Sequence, residues 1–148
     1  MNIGLLFGTN AKGGSRIEVP YLNVQGATIT LGLPVAFTNL AASVDGAQAV
    51  LPVATCQRTF AGIALKTVPN NGVGVAVAHG YCASVAIYAV GSSATVAIDE
   101  TLGVGVAGSM GVNSLGLTTR TGFVIALEAI GAAINSPGGY AKGFVRAV

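Results

Sequence analysis

Short apolar segments separated by glycine-containing turns run along almost the whole chain. Within these segments Val, Ile, Ala and Thr alternate with more polar residues, a period of two that is typical of β-strands. Turn pairs such as Asp45-Gly46 and Asn71-Gly72 lie between the segments, and both residue types accept positive φ. The pattern predicts an all-β fold, a compact sandwich or barrel. The predicted strands are residues 17–24, 27–31, 35–38, 49–54, 59–65, 74–78, 83–90, 95–98, 103–107, 115–119, 122–128 and 140–147.

Two blocks of sequence occur twice in the same order. The phrase TLGLPVAF at residues 30–37 returns as TLGVGVAG at residues 101–108, with five of eight positions identical. The phrase RTFAGIALKTV at 58–68 returns as RTGFVIALEAI at 120–130. Each unit has too few strands to close a core alone. The repeat therefore predicts one β domain at residues 17–148, built from two units at about 24–90 and 91–148.

The first 16 residues lie outside this repeat and predict an extended N-terminal arm. In an extended backbone Ile3, Leu5 and Phe7 share one side, and Lys12 and Arg16 belong to the basic, glycine-containing segment that follows. We expect these five residues to contact a neighbouring chain by strand addition. The alternatives are a frayed terminus and an edge strand of the same fold.

Charged residues are scarce, with seven basic and five acidic side chains among 148 residues. Ordinary soluble domains carry about three times this fraction. Gly, Pro, Asn, Ser or Thr interrupts every long uncharged stretch, so no apolar run of about 20 residues predicts a membrane-spanning helix. No basic stripe predicts nucleic-acid binding. Because the cores of protein interfaces are depleted in charge, we expect a homo-oligomer, with no membrane or nucleic-acid partner.

Targeting and cysteine patterns add little to this picture. The N-terminus lacks a basic start followed by a long apolar run, so we expect no signal peptide. Cys56 and Cys82 form no CxxC pair and the chain has one His, which argues against a zinc site. Two buried thiols in a reducing cytoplasm are the favoured interpretation, and a disulfide is the alternative.

Side chains that could carry catalysis are isolated from one another. His79 lies three residues before Cys82, and positions three apart on a strand face opposite sides unless Gly80 turns the chain. Asp99 and Glu100 are adjacent, which suits a solvated turn better than a pair of catalytic carboxylates. A weak ion pair between subunits, with Arg120 or Arg58, is the alternative. The Gly-Val-Gly phrases lack the helix and acidic residue of a dinucleotide site. We expect no enzyme, cofactor or metal.

Two apolar phrases carry a resemblance to a known family. Gly32-Leu-Pro-Val35 is followed by Gly62-Ile-Ala-Leu65, and Gly103-Val-Gly-Val106 is followed by Val124-Ile-Ala-Leu127-Glu128. In this respect residues 24–148 resemble the small head decoration, or capsid cement, proteins of tailed bacteriophages. The resemblance implies an oligomer, a trimer rather than a dimer, on the outer capsid surface. It also implies a structural role in the virion, bridging copies of the major capsid protein after synthesis in the host cytoplasm.

Other functional classes remain as alternatives at this stage. The first is another structural β protein, such as a fibre, tail or surface-layer component. The second is a carbohydrate-binding β-sandwich, for which Tyr81, Tyr88 and Tyr140 are the candidate stacking residues.

Overall fold

The fold is all-β, as predicted. A computed structural model describes residues 6–9, 15–38, 48–52, 59–88, 95–104, 110–112, 123–130 and 139–147. Ten strands within these ranges form one mixed sheet. The strands are β1 Leu6–Thr9, β2 Ser15–Asn23, β3 Pro34–Phe37, β4 Gln48–Val50, β5 Phe60–Ala64, β6 Val73–Tyr88, β7 Thr101–Val104, β8 Met110–Val112, β9 Val124–Ala126 and β10 Gly139–Arg146.

The sheet closes on itself twice, and both closures use β6. In the first ring, called the first barrel, β2 pairs with β4, β4 with β3, β3 with β5, β5 with β6, and β6 with β2. In the second barrel β6 pairs with β8, β8 with β7, β7 with β9, β9 with β10, and β10 with β6. Each barrel has one parallel pair, β2–β4 or β6–β8. β1 adds to the edge of β2 as an antiparallel strand.

Equivalent hydrogen bonds define how the two barrels correspond. Gly32 donates its backbone N–H to the Ala64 carbonyl over 2.8 Å, and Asp99 donates to the Ala126 carbonyl over 2.8 Å. The isolated bridge Ile29–Val68 likewise corresponds to Val96–Ile130. Residues 29–37 therefore align with 96–104 at an offset of 67, and 61–68 align with 123–130 at an offset of 62.

This correspondence corrects the first block of the sequence match. The identical Thr-Leu-Gly letters make Thr30 the equivalent of Thr101. The strand ladders instead make Pro34 the equivalent of Thr101, a difference of four residues. The second block, 58–68 with 120–130, has the offset observed in the structure. The unit boundaries also differ from those predicted, because the first barrel includes all of β2 and the second begins inside β6.

Two predicted strands, 27–31 and 95–98, are wrong in the same way. Each holds a single bridging residue followed by a tight turn, closed by Leu33 N–H donating to the Thr30 carbonyl and by Glu100 N–H donating to the Ala97 carbonyl. The third residue of each turn has positive φ, 82° at Gly32 and 66° at Asp99. Ala27–Leu31 and Thr95–Ile98 are apolar enough to predict strands, but the left-handed residue after them ends the extended chain.

The predicted strands 74–78 and 83–90 are parts of one strand, β6. Gly80 lies between them with φ of 107°, so the backbone bends there without leaving the sheet. His79 pairs on one side with Ile17 of β2 and on the other with Arg146 of β10. The bend therefore marks the point where β6 passes from one barrel to the other.

Each barrel has its own apolar core. The first is small and rich in Ala, with Tyr21, Ile29, Val35 and Val68 as its largest members. The second contains Val85, Leu102, Val104, Val124 and Val145, among others. The second core also takes in Phe60, Ile63 and Val77, which lie on strands of the first barrel. The outer face of β5 therefore packs against the neighbouring barrel, and all five residues of β5 are buried.

A buried amide joins the turns at one end of the first barrel. The Asn23 side chain donates from Nδ2 to the Ala27 carbonyl over 2.8 Å and to the Val68 carbonyl over 2.9 Å. Its Oδ1 accepts from the backbone N–H of Gln25 over 2.9 Å. Asn23 is fully buried, so these bonds offset the cost of removing its amide from water. They hold residues 24–28 against the end of the barrel.

We predict that Gly62→Ala unfolds at a much lower denaturant concentration than the parent chain. Gly62 lies at a bulge between β3 and β5 with φ of 146°, and a Cβ there would sit 2.2 Å from the Val77 carbonyl oxygen. Overpacking and backbone strain together should cost about 3 kcal/mol or more. Gly26→Ala is the control, because Gly26 has φ of 80° and nothing within 4 Å of the added Cβ. It should cost about 1 kcal/mol in urea unfolding; equal losses would contradict the close approach.

Tyr21 generates a second prediction, on pH. Burial raises the pKa of Tyr21 to about 12, and its hydroxyl has no hydrogen-bond partner among the described residues. The folded state favours the neutral phenol, so this stability is present below pH 10 and is lost as pH rises toward 12. Tyr21→Phe should therefore equal or exceed the parent in stability at pH 7 and lose less of it between pH 10 and 12. Tyr140→Phe, at an exposed ring, is the control in thermal unfolding. Identical alkaline profiles for Tyr21→Phe and the parent would contradict the assignment.

Candidate functional site

The predicted N-terminal arm folds back on its own chain over the described residues 6–9. Phe7 pairs with Ile17 and Leu6 with Glu18, so β1 is an antiparallel edge strand on β2. Over the described residues this is the edge-strand alternative, and the outer side of β1 has no partner within them. Ile3, Leu5 and Lys12 lie outside the described residues.

Arg16, the last of the predicted arm residues, lies in β2 and is engaged within the chain. Its guanidinium forms an ion pair with Glu18, and both side chains are largely buried. Within the described part of the chain its Nε is buried without a hydrogen-bond partner. The Arg16 charge is also close enough to Cys82 to favour the thiolate. Arg16 thus belongs to the junction between β2 and the bend of β6.

Cys82 and His79 do not form a nucleophile and base pair. The Cys82 thiol is buried in the second core and donates to the Ser84 carbonyl over 3.4 Å. Burial raises the pKa of the Cys82 thiol, outweighing the Ser84 hydrogen bond and the Arg16 charge. His79 instead packs edge-on against Phe144, with ring centroids 5.2 Å apart. A thiol whose pKa is raised is the opposite of an activated nucleophile. Cys82 is free, and Cys56 lies outside the described residues.

Asp99 and Glu100 occupy a turn. Asp99 is the left-handed residue, and Glu100 accepts from the backbone N–H of Ala97 through Oε2 over 2.9 Å. Arg58 and Arg120, the candidate partners for an ion pair, lie outside the described residues. The part of the chain that the structure describes contains no group of three or more His, Cys, Asp or Glu placed to hold a metal ion.

A second ion pair joins exposed parts of the second barrel. Lys142 Nζ lies 3.1 Å from Glu128 Oε2, and the Lys142 backbone N–H donates to Oε1 over 2.7 Å. The backbone bond is the main cause that lowers the pKa of Glu128, and the pair raises the pKa of Lys142. Both groups are exposed, so the pair fixes the geometry at the end of β9 more than it adds stability.

The surface feature that sequence reasoning missed is a set of exposed apolar side chains. Within the described ranges five large ones are exposed: Leu31, Val73, Ile98, Leu127 and Tyr140. Leu31 and Ile98 precede the left-handed residues of the two equivalent turns. β5 pairs Ile63 with Val77, and β9 pairs Ile125 with Phe144. The start of β6 therefore aligns with β10 at the same offset of 67, and Val73 corresponds to Tyr140. Only the corrected offset of 67 reveals that these four side chains form two equivalent pairs.

Of the three candidate stacking tyrosines, Tyr140 is exposed and lies beside Gly32. Tyr81 is half-buried on β6, opposite Phe144. The Tyr88 side chain is outside the described set. The structure therefore brings no two of these rings together as a stacking platform within the residues described.

Comparison with protein-family models gives no match to this chain, and no curated protein is significantly similar to it. Across the described residues, no helix is long and apolar enough to cross a membrane.

We predict that the Cys82 thiol is unreactive in the folded protein. In a Cys56→Ser background, Cys82 should react with a chromogenic disulfide reagent at pH 8 at least about 100-fold more slowly than free cysteine, because burial favours the thiol and excludes the reagent. In denaturant the same variant should react at the free rate, which provides the control. Rapid stoichiometric labelling of the native protein would contradict this placement.

Proposed function

We propose that this protein is a structural decoration, or cement, protein of a tailed-bacteriophage capsid. It binds the outer surface of the assembled head and stabilises the head by bridging copies of the major capsid protein. The observation that carries the proposal is the surface. Five large apolar side chains are exposed among the described residues, and the chain has only twelve charged residues. Such a surface is suited to apolar contact with other subunits rather than to solvent.

The two closed barrels support a structural role because a pair of closed barrels is a rigid unit. Ring closure leaves few free strand edges, which limits uncontrolled pairing with other chains. β1 is the exception, since it is an edge strand whose outer side has no partner among the described residues. We assign β1, with the flanking residues Ile3, Leu5 and Lys12, as the segment that adds to a strand of the coat protein.

The proposed mechanism is thermodynamic. A ligand that binds the assembled head and not its dissociated subunits stabilises the head by about 1.4 kcal/mol per site for each tenfold excess over Kd. Many equivalent sites on one shell multiply a modest gain. Apolar burial and strand pairing supply such binding without a large charge. A homotrimer is the proposed form on the shell, because the resemblance to capsid cement proteins implies one.

The test begins with gene order, where the proposal expects a major capsid gene close to this one. Heads assembled from that capsid protein without this chain are then incubated with the purified protein. We expect saturable binding and a higher temperature of head rupture, because binding is linked to the assembled state. A variant lacking residues 1–9, which keeps β2, should bind more weakly while retaining its own thermal stability to within about 1 kcal/mol.

Particle reconstruction supplies the decisive readout. Density on the outer shell at the contacts between coat subunits would support the proposal. Failure to bind such heads, or binding that leaves their rupture temperature unchanged, would refute it. Density confined to a tail or fibre would favour the alternative structural role.

A further inference from the structure

The contact between the two barrels joins unlike surfaces. The turn at Leu31-Gly32 in the first barrel lies on β6 and β10 of the second, where the Ala86 N–H donates to the Gly32 carbonyl over 2.9 Å. A Cβ added at Gly32 would come within 2.8 Å of the Tyr140 ring. We call the surface of the first barrel in this contact the turn face, and the surface of the second barrel around Tyr140 the strand face.

Each barrel has both faces, but the internal contact uses only one from each. The unused turn face belongs to the second barrel and centres on Ile98-Asp99, the equivalents of Leu31-Gly32. The unused strand face belongs to the first barrel and centres on Val73, the equivalent of Tyr140. Ile98 is 59% exposed against 39% for Leu31, and Val73 is 65% exposed against 47% for Tyr140. Leu31 and Tyr140, which lie in the internal contact, are therefore less exposed than their equivalents.

On the strands beside the turn face, residues of the first barrel are likewise more buried than their equivalents in the second barrel. In the first barrel Ile63 and Val77 are fully buried, because they pack into the core of the second barrel. Their equivalents in the second barrel, Ile125 and Phe144, are only half-buried. Leu65 packs against the second core, whereas its equivalent Leu127 is exposed. The second barrel thus leaves open an apolar surface whose counterpart is covered.

We propose that copies of this chain associate head to tail, with the turn face of one copy packed on the strand face of the next. The occupant of each free face is a second copy, because the internal contact already shows that these two kinds of surface fit each other. The contact joins two different patches, so it closes into a ring or continues as a fibre. This association does not depend on the proposed function.

In each of the two contacts, internal and proposed, a larger side chain on one face meets a smaller one on the other. In the internal contact a glycine, Gly32, faces the large ring of Tyr140. In the proposed contact the larger Asp99 faces the smaller Val73. A valine leaves room for the aspartate side chain that a tyrosine ring would not. The carboxylate can remain at the rim while Ile98 and Leu127 supply the apolar contact.

The test is sedimentation of the full chain and of three single variants up to about 100 µM, where contacts of micromolar Kd are saturated. Val73→Asp and Ile98→Asp place a charge on one face each, and both side chains are exposed, so both variants should fold. The control is Ala83→Asp, which adds the same charge at an exposed position outside both faces. Circular dichroism and thermal unfolding confirm that all variants fold equally.

We expect the parent and Ala83→Asp to form the same oligomer. Val73→Asp and Ile98→Asp should each weaken association by about tenfold or more, because a carboxylate is forced into an apolar contact. An equimolar mixture of the two variants should form a dimer through the one intact pair of faces. A monomeric parent, variants that behave like Ala83→Asp, or a mixture without dimer would overturn the proposal.

Discussion

The whole fold depends on one strand that two barrels share. β6 closes the first ring through β2 and β5, and then closes the second through β10 and β8. This is feasible because Gly80 takes a positive φ, which redirects the strand while its ladder continues. Neither barrel can lose β6 and stay closed, so the two cores should unfold as one cooperative unit.

Sharing a strand makes the two barrels structurally alike but differently exposed. The outer face of β5 is covered by Phe123 and the second core, as the 4.6 Å stack of Phe60 on Phe123 shows. In the part of the chain that the structure describes, no third barrel covers the corresponding face of β9. The internal contact thus uses the turn face of the first barrel and the strand face of the second. The strand face of the first barrel and the turn face of the second barrel stay exposed. The unequal burial of Ile63 and Ile125 is a direct consequence of this arrangement.

The all-β class followed from local patterns, because period-two alternation and turn residues are properties of short windows. Ring closure did not, because the parallel pair of Leu22 with Gln48 joins segments whose pairing leaves no local signature. The repeat was visible in the letters, yet Thr-Leu-Gly matched at the wrong offset. The equivalence that matters is backbone conformation, and Asp99 adopts the left-handed φ that Gly32 adopts in the first barrel. The equivalence of Leu31 with Ile98, and of Val73 with Tyr140, was not visible in the sequence because the matching letters have a different offset.

The type of residue at the third position of each turn depends on whether another part of the chain packs against that turn. At Gly32 both the positive φ and the Tyr140 ring exclude a side chain, so only glycine satisfies the two constraints. The positive φ remains at Asp99 and also at Asn71, the third residue of the turn that Gly72 N–H closes by donating to the Pro69 carbonyl. Both residues are exposed, and short polar side chains tolerate that conformation. The choice of residue therefore separates a turn that is covered within the chain from turns that are open. Asp99 is the open copy of a covered position, and this is why the second barrel's turn face is available to a partner.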